Sequence, residues 1–217
     1  MISTENITIN TQSSVRIEGE KTVYFDPIEL TAAAHDADLI LVTHDHFDHF
    51  DPKSISLIAK EDTVLIAPLS MKKQVLGEAG VPENRCVFME PEDTTEAAGL
   101  AVETVWAYNP NKKFHPKDKK WLGYVVTMDG VRYYTAGDTD MTPENSKVKC
   151  DVAFLPVGGK YTMDHGEAAA LCAAIKPKIV IPYHYGSYAG KKEDGAAFAA
   201  ALSDLDPMIK VVMKLFR

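Results

Sequence analysis

One six-residue segment, His44-Asp45-His46-Phe47-Asp48-His49, brings together three of the chain's seven histidines and two carboxylates. Imidazole and carboxylate groups together suit Zn²⁺, Mn²⁺ or Fe²⁺. Alternate side chains of an extended segment share one side, so His44 and His46 could bind the same ion. Asp48 and His49 follow a turn and could bind a second ion. Five ionisable groups this close would each need a polar partner in a protein core, so the segment predicts a metal site.

Two later segments also end an apolar run in a potential ligand. Val131–Ala136 leads into Gly137-Asp138-Thr139-Asp140, and Ile179–Tyr183 leads into His184. Taken alone, Asp138 is typical of a turn carboxylate and His184 of a hydrogen-bonded histidine. In stacked α/β architectures, however, ligands bind beyond the carboxyl ends of strands. Together with the first segment, these residues therefore predict three strands that deliver metal ligands to one end of the molecule.

The elements that must position these residues follow from the hydrophobic pattern. Leu39–Thr43 is a continuous apolar run, typical of a strand covered on both faces. Asp51-Pro52 and Asp164 predict helix N-termini, and Asp129-Gly130 predicts a two-residue hairpin. Further strands are predicted at Ile7–Asn10, Ser14–Ile17, Thr22–Phe25, Val64–Ala67, Ala101–Tyr108, Leu122–Met128, Val131–Ala136, Val152–Pro156, Ile179–Ile181 and Ile209–Leu215. The helices are predicted from Pro52 to about Lys60, at Met71–Glu78, from Asp164 to before Pro177, and at Lys192–Leu202. This order predicts an α/β fold with sheets stacked between helix layers.

Composition excludes several classes of protein. The chain has 217 residues, of which 46% are hydrophobic, and no linker or repeat divides it, so a single domain over residues 1–217 is expected. No apolar stretch approaches the roughly 20 residues that cross a bilayer, and no secretory signal is visible. Three scattered cysteines indicate a reducing compartment, so a cytoplasmic location is expected. The net charge of −8 disfavours nucleic acid and anionic membranes as partners.

Five lysines form the one concentrated basic segment, at Lys112, Lys113, Lys117, Lys119 and Lys120. Such a segment is either a solvated loop or a rim that attracts anions beside a site. His115 lies within it, which favours the rim if this histidine binds metal. The segment then predicts a small anionic substrate.

Several motifs are similar to those of the metallo-β-lactamase superfamily. They are His44-x-His46-x-Asp48-His49, Gly137-Asp138-Thr139, Pro182-Tyr183-His184-Tyr185-Gly186 and Tyr24-Phe25-Asp26-Pro27. The segment Leu155–Met163 resembles the branch that contains ascorbate-6-phosphate lactonase. The resemblance spans Ser14 to His184, and it implies a four-layer αβ/βα sandwich with two metal ions at one edge.

The resemblance also implies individual roles. One metal would be held by His44 and His46, the other by Asp48, His49 and His184, with Asp138 as the bridge. Asp26 would orient the ligand loop without binding metal. The ions would be Zn²⁺ or Mn²⁺, with Fe²⁺ also compatible.

The superfamily supplies one more histidine to the first metal, from the strand end that precedes the bridging aspartate. Here the strand Ala101–Tyr108 ends in Asn109, and the histidine in this interval is His115. We therefore expect His115 to be the ligand, reached by a loop that folds back, with Asn109 as its alternative and as a possible substrate contact. His165 is either a helix-end residue or a second substrate contact.

The chemistry expected of such a site is hydrolysis. Water held between two cations loses a proton near neutral pH, and Asp48 is the residue expected to orient it or accept its proton. The substrate would be a small ester, lactone or phosphodiester, with a phosphorylated sugar lactone as one candidate. A nuclease of the same superfamily and a non-enzymatic metal-dependent binding or scaffold protein are the alternatives.

Overall fold

Two β-sheets stack face to face in the computed structural model, which describes residues 2–215, and the four α-helices of this part cover their outer faces. The first sheet contains, from edge to edge, β1 (Ile7–Ile9), β2 (Val15–Glu18), β3 (Thr22–Phe25), β4 (Ala37–Leu41), β5 (Ala59–Pro68) and β6 (Cys86–Met89). The second contains β7 (Thr94–Ala97), β8 (Leu100–Trp106), β9 (Leu122–Met128), β10 (Val131–Thr135), β11 (Val152–Pro156), β12 (Ile179–Tyr183) and β13 (Lys210–Val211). The helices are α1 (Pro52–Ile58), α2 (Lys72–Glu78), α3 (His165–Ile175) and α4 (Asp194–Leu205).

Strand β4 and the residue after it show why the apolar run is continuous. Leu39 and Leu41 belong to the core between the two sheets, whereas Ile40 and Val42 pack with the helices α1 and α2 on the other face. Because alternate side chains point to opposite faces, a strand between a sheet and a helix layer needs apolar residues at every position. The predicted α/β four-layer sandwich is thus confirmed.

Strand direction brings the predicted ligand segments to one edge. Strand β3 is parallel to β4, and β10, β11 and β12 are parallel to one another. Strand β9 is antiparallel to both β8 and β10, so β8 runs in the same direction as β10. At the shared edge the backbone N–H of Leu122 donates to the carbonyl of Thr43, which joins the two sheets.

Three local signals are confirmed. The Asp51 carboxylate accepts the N–H of Lys53 at the start of α1, and Asp164 accepts that of Glu167 at the start of α3. Both residues of Asp129-Gly130 have positive φ, as the tight hairpin between β9 and β10 requires.

Other predictions need correction. Strands β6 and β7 were not predicted, because both are four-residue segments and β7 is a polar edge strand with no apolar alternation. The last strand is limited to Lys210–Val211, since β13 pairs with β12 at two positions. The helix that starts at Pro52 ends at Ile58, and the chain then enters β5. No helix within residues 2–215 is long and apolar enough to cross a membrane.

Candidate metal centre

Three imidazoles form the first ligand group at the shared sheet edge. His44 and His46 follow β4, and His115 comes from the loop between β8 and β9. Nε2 of His44 lies 3.1 Å from Nδ1 of His46, close to the roughly 3.3 Å edge of a tetrahedron with metal–nitrogen bonds of about 2.0 Å. Burial and the neighbouring imidazoles lower the pKa of both residues. Both are therefore neutral near pH 7, the form that binds metal.

Asp48, His49 and His184 form the second group. Oδ2 of Asp48 lies 3.5 Å from Nε2 of His184 and 3.7 Å from Nε2 of His49. Burial lowers the pKa of His184, but the charge of Asp138 and the hydrogen bonds to Asp138 and Asp48 together outweigh it and raise that pKa to about 9. Burial likewise lowers the pKa of His49, and the carboxylates of Asp138 and Asp26 raise it well above its ordinary value. The surroundings of this group therefore favour a positive charge.

Asp138 joins the two groups. Its Oδ2 lies 3.3 Å from Nε2 of His115 and 3.1 Å from Nε2 of His184, and its Oδ1 lies 3.2 Å from Nε2 of His49. Gly137 makes this position reachable, because its φ is +65° and an added Cβ would lie 3.0 Å from the carbonyl oxygen of Leu122. One carboxylate thus spans both ligand groups, as a bridging ligand must.

Unsatisfied buried atoms test whether metal ions fit this arrangement. Nε2 of His49, Nε2 of His115 and Oδ1 of Asp138 are fully buried and make no hydrogen bond. Each such atom costs about 1–3 kcal/mol in a protein interior. Nε2 of His49 nevertheless lies 3.2 Å from Oδ1 of Asp138, and Nε2 of His115 lies 3.3 Å from Oδ2 of the same carboxylate, as expected of atoms aimed at a shared cation. Nitrogen and carboxylate donors in this ratio fit Zn²⁺, Mn²⁺ or Fe²⁺.

Asp26 and Thr43 orient two of the histidines through contacts to Nδ1, the ring nitrogen that faces away from the centre. The Asp26 carboxylate is 2.7 Å from Nδ1 of His49 and accepts hydrogen bonds from the backbone N–H and the hydroxyl of Thr43. The Thr43 hydroxyl in turn lies 2.9 Å from Nδ1 of His44. These contacts occupy Nδ1 in both rings and leave Nε2 directed at the centre, which is how protein groups orient metal-binding histidines.

A cavity of about 280 Å³ opens beside the two groups. Four of its eight lining residues are candidate ligands, namely His46, Asp48, His115 and Asp138. Burial raises the pKa of the Asp48 carboxyl, but the hydrogen bond from His184 and the charge of His49 lower it below its ordinary value. Asp48 is therefore an ionised carboxylate at the cavity wall.

The loop after β8 folds back and brings His115 to the centre. The backbone N–H of Asn109 donates to the carbonyl of His115 at 2.8 Å, and the Asn109 side-chain oxygen lies 2.7 Å from Nδ1 of His115. Asn109 is buried and is not a lining residue of the cavity. The Asn109 oxygen is thus already bonded to the imidazole, so His115 and not Asn109 presents a free donor atom to the centre.

Two further predicted features lie outside the cavity lining. His165, one of the alternatives for a substrate contact, is exposed at the first position of α3 and is not a lining residue. Lys112, Lys117 and Lys120 form ion pairs with Asp140, Glu144 and Glu90, respectively. These three lysines are thus paired with carboxylates of the chain itself, and none of the five lysines of the segment lines the cavity.

Gln12 and Trp121 contact the centre although sequence reasoning missed them. Nε2 of Gln12 lies 3.2 Å from Oδ2 of Asp48 and 3.0 Å from Nε2 of His184. Trp121 is buried, and its ring centroid lies 4.9 Å from those of His44 and His46. Gln12 belongs to a polar stretch between β1 and β2 that is typical of an exposed turn. The sequence therefore carries no signal that the Gln12 side chain is buried.

Comparisons with known proteins agree with this geometry. The sequence profile of a β-lactamase superfamily domain matches residues 6–184. A UPF0173 metal-dependent hydrolase of Methanoregula boonei is 36% identical over 198 residues, which cover 87% of this chain and 85% of that protein. The chain belongs to the UPF0173 family of metal-dependent hydrolases. The predicted superfamily is thereby confirmed.

Solved structures give the same picture of the fold. A crystal structure from Parabacteroides distasonis is 33% identical to this UPF0173 chain, with a TM-score of 0.77 and coverage of 97% of this chain and 93% of that one. A metallo hydrolase from Ignicoccus hospitalis, at 21% identity, has a TM-score of 0.75, with coverage of 95% and 93%. The second likeness concerns the fold alone.

Proposed function

We propose that this UPF0173 hydrolase holds two divalent cations, Zn²⁺ or Mn²⁺, and cleaves a small ester, lactone or phosphodiester with water as nucleophile. The observation that carries the proposal is the contact of one carboxylate, Asp138, with both ligand groups. His44, His46 and His115 would hold one cation, and Asp48, His49 and His184 the other. Cations held by these residues would supply Lewis acidity and lower the pKa of bound water.

The cavity supports water as the nucleophile. Its lining residues in the described part of the chain include no serine, threonine, cysteine or lysine that could attack a carbonyl carbon or phosphorus. The nearby Ser13 hydroxyl is fully buried and lies 3.1 Å from Nδ1 of His49, so it is held away from the cavity.

Asp48 is the residue we assign to proton transfer. Its carboxylate faces the cavity and is anchored by Gln12 and His184. An ionised carboxylate at this position can accept a proton from the attacking water and return it to the leaving oxygen, which typically contributes about 10²–10⁴-fold to the rate. Asp138 meanwhile fixes the spacing of the two ligand groups.

The test combines metal content with turnover. Protein reconstituted with Zn²⁺ or Mn²⁺ should bind two cations per chain and hydrolyse members of a panel of aryl esters, lactones and phosphodiesters. Asp48→Asn should lower turnover by about 10²–10⁴-fold, whereas Asp45→Asn, a matched change of the neighbouring carboxylate outside the cavity lining, should have little effect. Metal-loaded protein that cleaves nothing in the panel would indicate the binding or scaffold alternative. Cleavage confined to RNA would indicate a nuclease.

A further inference from the structure

Four aromatic side chains make up the other half of the cavity wall. They are Phe47, Phe114, Tyr161 and Tyr188. Each comes from a different loop, after β4, β8, β11 and β12, respectively. Phe47 lies between His46 and Asp48 in the sequence, and Phe114 directly precedes His115. The aromatic wall is therefore built from the same loops as the ligand groups.

The rings form two edge-to-face pairs. The centroids of Phe47 and Tyr188 are 5.2 Å apart, and those of Phe114 and Tyr161 are 4.6 Å apart. Within the described residues, six large hydrophobic side chains are exposed, and three of the six line this cavity. Phe47, at 73% exposure, is the second most exposed of them. Large apolar side chains gathered at one exposed site are typical of a binding surface.

In the described part of the chain, the cavity wall lacks the cationic side chains that usually bind anionic groups. No lysine or arginine of residues 2–215 lines it. Lys112 reaches Asp140 and the carbonyl of Thr162, and the Lys160 ammonium group lies over the ring of Tyr161, 4.9 Å from its centroid. Among the described residues, the cavity lining itself therefore carries no lysine or arginine, whereas half of it is aromatic.

We infer that this aromatic wall is the substrate subsite for a flat apolar group, so that the substrates are esters, lactones or phosphodiesters that carry an aromatic ring. The inference rests on the proposed function and names its substrate class. The reacting carbonyl or phosphoryl group lies at the ligand groups, and the ring lies between the two aromatic pairs. An apolar cavity of roughly 150 Å³ accepts a benzene ring. A volume of about 280 Å³ therefore holds one ring together with the reacting group.

The test uses binding of three hydroxamates that share one metal-binding group. Acetohydroxamate, phenylacetohydroxamate and phosphonoacetohydroxamate are titrated by calorimetry into protein loaded with Zn²⁺. Phenylacetohydroxamate should bind about tenfold more tightly than acetohydroxamate, because its ring packs on aromatic faces. Phosphonoacetohydroxamate should bind no more tightly than acetohydroxamate, despite its second anionic group. If it binds most tightly of the three, or if the phenyl group gives no advantage, the inference is overturned.

Matched variants connect the preference to the aromatic wall. Tyr161→Ala and Tyr188→Ala should each remove most of the phenyl advantage and leave acetohydroxamate affinity within about twofold. Tyr161→Phe and Tyr188→Phe keep the rings and should retain the advantage, which also controls for the Tyr188 hydrogen bond to Glu29. Retention of the phenyl advantage in both alanine variants would overturn the inference, since the preference would then arise elsewhere.

The outcomes separate this inference from the proposed function. If the ring-dependent preference is observed but no panel compound is hydrolysed, the subsite stands and the hydrolytic mechanism fails. If the protein hydrolyses esters equally well with and without a ring, the mechanism stands and the subsite assignment fails.

Discussion

The hydrogen bond between Asn109 and His115 allows a specific prediction of how Asn109 affects metal affinity. The Asn109 side-chain oxygen lies 2.7 Å from Nδ1 of His115, and both residues are buried, with 4% and 1% exposure. This bond keeps the imidazole proton on Nδ1 and leaves Nε2 unprotonated for a cation. We predict that Asn109→Ala weakens binding of the first cation although Asn109 does not contact it.

The expected loss of metal affinity follows from the burial of the hydrogen bond between Asn109 and His115. In the metal-bound state of Asn109→Ala, the buried Nδ1–H of His115 has no acceptor, which costs about 1–3 kcal/mol. In the metal-free state the proton can move to Nε2, which lies 3.3 Å from Oδ2 of Asp138, so most of the cost falls on the bound state. Affinity should therefore fall by about 10–100-fold, the range typical for residues that orient a ligand. Asn109→Asp keeps an acceptor and should bind nearly as tightly as the wild type.

The assay is competition for Zn²⁺ with a fluorescent chelator, with thermal unfolding as a check on the fold. His115→Ala removes the ligand itself and should have an effect at least as large as that of Asn109→Ala. Asn10→Ala is the matched control, because Asn10 donates to the carbonyl of Ile28, away from the ligand groups. Wild-type affinity in Asn109→Ala would refute the reasoning. So would an empty first site in that variant combined with a filled one in His115→Ala.

Three further predictions concern other parts of the molecule. His49→Ala should lose the second cation more readily than the first in metal analysis after dialysis, and equal retention of both would contradict our assignment. Lys112→Met removes a partly buried ion pair with Asp140 and should lower the thermal midpoint by about 2–4 °C; an unchanged midpoint would show that this pair does not stabilise the loop. Burial raises the pKa of Asp36, but hydrogen bonds from Arg16 and Tyr24 bring it below its ordinary value. This carboxylate therefore stabilises the fold above its unfolded pKa of about 3.9, and the contribution is lost as the pH falls through the folded pKa. The difference in unfolding free energy between the wild type and Asp36→Asn at pH 7 should accordingly shrink as the pH is lowered through that range. A difference that does not change with pH would contradict this prediction.

Much of the fold could be predicted because it depends on local chemistry. The apolar run at Leu39–Thr43, the caps at Asp51 and Asp164 and the hairpin at Asp129-Gly130 each involve residues that are neighbours in sequence. The same holds for the clustering of potential ligands in His44–His49, which needs no knowledge of distant contacts. The polar edge strand β7 lacked such a local signal, since its pairing with β8 and not its composition makes it a strand.

That strands end in potential metal ligands can be inferred from the sequence, because strand periodicity and the chemistry of histidine and aspartate are local properties. That His115 faces the centre while Asn109 bonds to its ring depends on a loop closing back on the strand that precedes it, which requires the tertiary structure. It also decided that Lys112 pairs with Asp140, that Gln12 is buried beside Asp48, and that four loops place aromatic rings around one cavity. These contacts join residues far apart in sequence, and the packing of two sheets at a shared edge brings them together.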